Sequence, residues 1–108
     1  MAREVEVDSN QVEWLPTRWP GITSKWLRQD THTGARASLL KFEPGSHMPR
    51  HLHPAGEEVL VLEGRVRFEE SWYEAGCYLY SPPGSTDDVC SDTGGVLFVM
   101  LPQAAVHV

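Results

Sequence analysis

A chain of 108 residues and 12.1 kDa has room for one domain, whose single core buries roughly two thirds of the unfolded surface, and this excludes a two-domain organisation. Hydrophobic residues at 41% and charged residues at 22% are ordinary globular usage, so a disordered chain is excluded as well. Fifteen acidic against nine basic side chains leave a formal charge of -6, which repels phosphate backbones and anionic headgroups and argues against nucleic acid as a partner.

The stretch from Met1 to Glu6 lacks the apolar run of about 7 to 15 residues that a secretory signal needs. No apolar run approaches the roughly 18 residues that would cross a bilayer, so a cytoplasmic protein without membrane contact is expected. Cys77 and Cys90 are too few to staple a fold and read as packing thiols. Nine Gly and eight Pro punctuate the chain at Pro20-Gly21, Pro44-Gly45, Pro54-Ala55-Gly56, Pro82-Pro83-Gly84 and Gly94-Gly95. The apolar runs between them predict strands over 24–29, 35–42, 57–63, 65–69, 77–81, 88–90 and 95–101, with no sustained helical period. Many short strands point to an all-β sandwich or barrel.

Val59, Leu60, Val61 and Leu62, and likewise residues 96–101, are apolar at both parities, whereas a strand with one wet face alternates. A second layer should therefore cover the outer face, supplied by the N-terminal segment or by another subunit. A homodimer is expected on this ground. Trp14, Trp19, Trp26 and Trp72 read as core and interface filling. Arg50, Arg65, Arg67, Arg36 and Lys41 read as solvent-facing cations rather than contacts for an acidic substrate.

Three of the five histidines, His47, His51 and His53, fall within seven residues just ahead of Glu57 and Glu58. On an extended segment His51 and His53 share a face, with Cα atoms about 6.5 to 7 Å apart, so two imidazoles converge on one ion. The Pro54-Ala55-Gly56 break lets the following strand return a carboxylate toward the same point. Two His and one carboxylate on one side of a metal is the facial arrangement of non-haem Fe(II) oxygenases, and it also suits Mn, Ni or Zn. His47 is a further candidate ligand, reaching in from the Gly45 turn. His32 reads as a turn residue and His107 as part of the tail.

The spacing Gly45-x5-His51-x-His53-x3-Glu57-x6-Gly64 resembles the first signature of the cupin superfamily, and Gly76-x5-Pro82-x-Gly84-x2-Asp87-x3-Ser91 resembles the second. Within that superfamily the run 56–64, the Ser81-Pro82-Pro83-Gly84-Ser85 turn and the Leu97-Phe98-Val99 strand are similar to the cupin domain of zinc-dependent anti-sigma factors and to diketone-cleaving dioxygenases. The resemblance implies a jelly-roll β-barrel of antiparallel strands in a single domain spanning 1–108, with motif one at 45–64 and motif two at 76–91.

It also implies one divalent transition metal per chain, Fe, Zn, Mn or Ni, held by His51, His53 and Glu57. The fourth ligand position, a histidine in most cupins, carries Asp87 here, and Ser91 stands where an asparagine is usual; His47 is the alternative fourth ligand. With Glu57 inward, parity places Val59 and Val61 on the lumen face and sends Glu58 outward. Tyr78 and Tyr80 share a parity ahead of the second motif and are expected to line a substrate pocket with those valines. The implied function is a small-molecule metalloenzyme of oxygenase type acting on a carbonyl or phenolic substrate. The alternative is a metal-stabilised module that binds or senses a small ligand without catalysis.

Overall fold

The computed structural model describes residues 3–107. A 3-10 turn at Ser9–Gln11 leads into ten strands. They are β1 (Leu15–Pro16), β2 (Ile22–Gln29), β3 (Arg36–Phe42), β4 (His47–His53), β5 (Glu57–Phe68), β6 (Ser71–Glu74), β7 (Tyr78–Ser81), β8 (Ser85–Cys90), β9 (Gly95–Leu101) and β10 (Val106–His107). The strands form one curled antiparallel sheet in the order β1-β2-β3-β9-β5-β8-β4-β10, with β6 and β7 also paired to β5. No α-helix occurs among the described residues, and none is long and apolar enough to cross a membrane.

The all-β barrel expected from the sequence is borne out. Several element bounds differ, for local reasons. Residues 57–63 and 65–69 form one strand, because Gly64 adopts φ +66 and turns the strand without ending it. The first half of β5 pairs with β9 and β7, the second with β6 and β8, so this turn is where the sheet curls over. A Cβ on Gly64 would run into the carbonyl oxygen of Gly94, which only glycine avoids. Strand β6 was not expected, since Ser71, Trp72, Tyr73 and Glu74 carry no clear alternation.

Inward residues from both halves of the sheet form one core: Ile22, Phe42, Val61, Val66, Leu97 and Val99 are among its buried members. The outer face is covered in part by the chain's own N-terminal segment. Buried Lys25 donates from Nζ to the Ser9 carbonyl at 2.7 Å and lies 4.7 Å from the Trp14 ring, tying that segment down. Further along the same face the apolar surface stays open: Leu60 is 37% exposed, Tyr78 57% and Tyr80 59%.

Candidate metal centre

Strand β4 carries the histidines, and its register decides which of them turn inward. His51 pairs with Asp87 and His47 with Cys90, so four steps on β4 oppose three on β8 and the strand holds a bulge between Met48 and His51. Proline at 49 has no N–H to give the ladder, which suits a bulge at this point. Strict alternation would face His47 inward with His51 and His53. The extra residue reverses the parity before it, so Met48 is buried and His47 exposed. His47 is thereby removed from the donor set: its Nε2 lies 2.7 Å from Asp88 Oδ1 on the outside of the barrel.

His51, His53 and Glu57 are all buried, with one donor atom of each within 4.8 Å of the others. The two imidazoles meet edge to face, ring centroids 4.7 Å apart. His51 Nδ1 donates to the Pro49 carbonyl at 2.9 Å, which fixes the ring, so that an ion bound here would meet it at Nε2. Glu57 is returned to this point by the turn at 54–56. There Gly56, at φ +87, donates its N–H to the His53 carbonyl at 3.2 Å, and Gly84 from the second motif donates to the same oxygen at 2.8 Å.

Asp87 enters through His53: its Oδ2 lies 3.1 Å from His53 Nε2 and accepts from Ser81 Oγ at 3.2 Å. The His53 contact has the distance of an ion pair but not the alignment of a hydrogen bond. Both His53 ring nitrogens and Glu57 Oε1 are buried with no hydrogen-bond partner. Buried polar atoms are nearly always satisfied, so the orphaned His53 Nε2 and Glu57 Oε1, 3.4 Å apart, fit a cation.

Burial pushes the Glu57 carboxyl up to about 8, with the neighbouring Asp87 charge acting in the same direction. Burial works against a charge on His53, but the Asp87 and Glu57 carboxylates outweigh it and raise its pKa. Burial likewise opposes ionisation of Asp87, which His53 nevertheless holds below the usual carboxylate range. Without metal, Glu57 therefore keeps its proton at neutral pH. A carboxyl whose pKa is raised on folding adds most stability below its unfolded value and loses it as pH climbs through the folded one. Metal-free protein should thus lose stability between about pH 4.5 and 8, while metal binding, which needs ionised Glu57, should tighten over the same interval. Melting temperatures of chelated and loaded protein across this window check both signs.

A cavity of about 350 Å³ opens onto His51, His53 and Glu57 together. Val59 and Val61 do face inward and are buried, but they belong to the closed core beneath the cavity rather than to its lining. Tyr78 and Tyr80 do not line it: they pair with Leu60 and Glu58 and stand on the outer face. The Tyr78 hydroxyl donates to Glu58 Oε1 at 2.6 Å, which confirms Glu58 as outward. The inward residues of β7 are Leu79 and Ser81, partnered with Val59 and Glu57. The lining comes instead from β2, β3 and β9 and the loop before β2, through residues such as Leu40 and Leu101 and, against the expectation of core or solvent, Trp19, Trp26 and Arg36. Parity counted from Glu57 through β9 into β3 would have found the strand residues, had the registers been known.

Taken together, a curled antiparallel sheet with two histidines and a carboxylate turned into its open end defines a cupin. More narrowly, the chain belongs to the ChrR cupin-like domain family, which it matches over residues 2–105. A comparison with curated proteins found no match. Among solved structures it is similar to an RmlC-like cupin protein from Ralstonia eutropha, with TM-score 0.88 and 22% identity over 98% of this chain and 73% of that one. An acetylacetone dioxygenase from Acinetobacter johnsonii superposes with TM-score 0.77 and 16% identity, covering 94% of this chain and 74% of that one. For the polyketide cyclase RemF from Streptomyces resistomycificus the values are 0.80 and 19%, covering 98% and 86%. At these identities the likeness is one of fold.

Proposed function

We propose that this protein is a small-molecule metalloenzyme of oxygenase type, holding one divalent transition ion, Fe, Zn, Mn or Ni, and acting on a carbonyl or phenolic substrate. The observation that carries the reading is the cavity: a small molecule entering it meets His51, His53 and Glu57 directly. Bound there, the ion would supply open coordination positions and Lewis acidity. His51 presents Nε2 because Pro49 holds its other nitrogen, and Glu57 contributes an anionic oxygen once its proton has left. Leu40, Val99 and Leu101 offer apolar walls that exclude water and seat a carbon skeleton.

Asp87 is proposed as the fourth donor, since it already stands against His53 Nε2. Asp87→Ala should weaken metal binding measurably or leave a water in the fourth position. Asp87→His should keep the fold and tighten Zn(II) or Ni(II), and His47→Ala should change nothing, its side chain lying outside. Metal titrations of the three variants check this ranking, which a loss of metal in His47→Ala would reverse.

The test of function is oxygen uptake by Fe(II)-loaded protein offered β-diketones and phenols. Uptake above the metal-free control supports the enzyme. Ligand binding in the cavity with no uptake for any substrate would assign instead the metal-stabilised sensing module, which the similarity to anti-sigma cupin domains supports. A homodimer is proposed alongside either reading, with a second copy covering the open outer face around Leu60, Tyr78 and Phe98. Light scattering should give about twice 12.1 kDa at micromolar concentration, and the monomer mass would contradict the pairing.

A further inference from the structure

Two cations in the cavity have no part in holding an ion. Arg36 pairs with Leu101, which puts it on the inner face of β3 with Ser38 and Leu40, and Arg18 reaches the same cavity from the loop before β2. Each guanidinium lies over an indole that also lines the cavity: Arg18 is 5.6 Å from the Trp19 ring centre and Arg36 is 5.5 Å from that of Trp26. Arg28, Arg50 and Arg65 each pair with a carboxylate. Arg18 and Arg36 pair with none among the described residues, and Arg36 spends only its Nε, on the Gly34 carbonyl at 3.2 Å. Both stand beside one cavity in a chain that carries fifteen carboxylates against nine basic residues.

A guanidinium laid on an aromatic face is held in plane while its outer N–H groups remain available, which suits bidentate capture of a carboxylate. Arg18 is exposed and Arg36 half-buried, a placement at the rim rather than the floor. Trp26, 39% exposed at the same rim, offers a ring face to a planar body. We infer that the cavity takes a planar monocarboxylate, a keto acid or hydroxyaromatic acid, with its carboxylate on Arg18 and Arg36 and its opposite end toward His51, His53 and Glu57. The assignment of that opposite end rests on the metalloenzyme reading; the capture of the carboxylate does not.

The probes are 4-hydroxybenzoate and 4-hydroxybenzamide, which share ring and phenol and differ in charge. Both are titrated calorimetrically against the protein as purified, with its metal content measured in parallel. The carboxylate should bind about tenfold tighter or more, a preference that shrinks with added salt. Arg18→Met and Arg36→Met should each remove most of that preference while leaving the affinity for the amide and the metal content unchanged. Equal affinity for the two probes, no binding of either, or a preference that survives the double substitution overturns the inference. If the variants fail to fold, the probe pair and the salt dependence on the unaltered protein still decide. A preference that disappears when the ion is chelated assigns the carboxylate to the metal and also overturns it. A protein without metal that still prefers the carboxylate leaves the inference standing and removes the metalloenzyme reading alone.

Discussion

Replacing His53 with alanine should strip the protein of metal. The ring is 1% exposed, and its Nε2 lies 3.4 Å from Glu57 Oε1 and 3.1 Å from Asp87 Oδ2. Removing it takes one of three converging donors and leaves two buried carboxylates facing each other with no imidazole between them. The expected loss of affinity exceeds about a hundredfold, beyond the range for residues that only support a ligand. Dialysis against a weak chelator followed by elemental analysis reads the result, and wild-type metal content in His53→Ala would sink the assignment of the site.

Gly64→Ala should damage the fold itself more than any other single methyl group. Residue 64 sits at φ +66, where an L side chain is strained, and the added Cβ would strike the Gly94 carbonyl oxygen and lie 2.9 Å from Gly95 Cα. Both obstacles are backbone of the paired strand, so no rotamer change relieves them. Only a shift of β5 against β9 would, and β5 is the strand that joins the two halves of the barrel. A cost on the order of 3–5 kcal/mol is expected, read as a fall in Tm of more than about 10 °C for a chain of this size. A variant melting within a few degrees of the parent would show that β5 does not need glycine at its bend.

Much of this architecture was legible because apolar blocks in the chain are bounded by glycine and proline, and burial follows such blocks. Val59 and Val61 could be placed inward from Glu57 alone, since alternation along an unbroken strand needs no knowledge of its neighbours. What failed were inferences that crossed an irregularity or required a register. His47 reads as a candidate ligand by its reach from the Gly45 turn, and the bulge at Pro49 and Arg50 instead turns it to the outside. Tyr78 and Tyr80 share a parity, but only their pairing with Leu60 and Glu58 says which face that parity is. Arg36 sits among small and apolar residues on both sides, so its own strand is mute about direction. Its inward position is fixed by the partner Leu101 in a strand more than sixty residues away.

The carbonyl of His53 has a consequence for how this protein tolerates changes of length. That one oxygen receives N–H groups from Gly56 and Gly84, the turn residues of two motifs far apart in the chain. The turns also touch directly, since a Cβ on Gly56 would come within 2.8 Å of the Ser81 carbonyl oxygen. An insertion in either turn would therefore pull on the other through the backbone of His53. Loop grafts intended to reshape the mouth of the barrel must therefore exchange the turns at 54–56 and 82–84 as a matched pair.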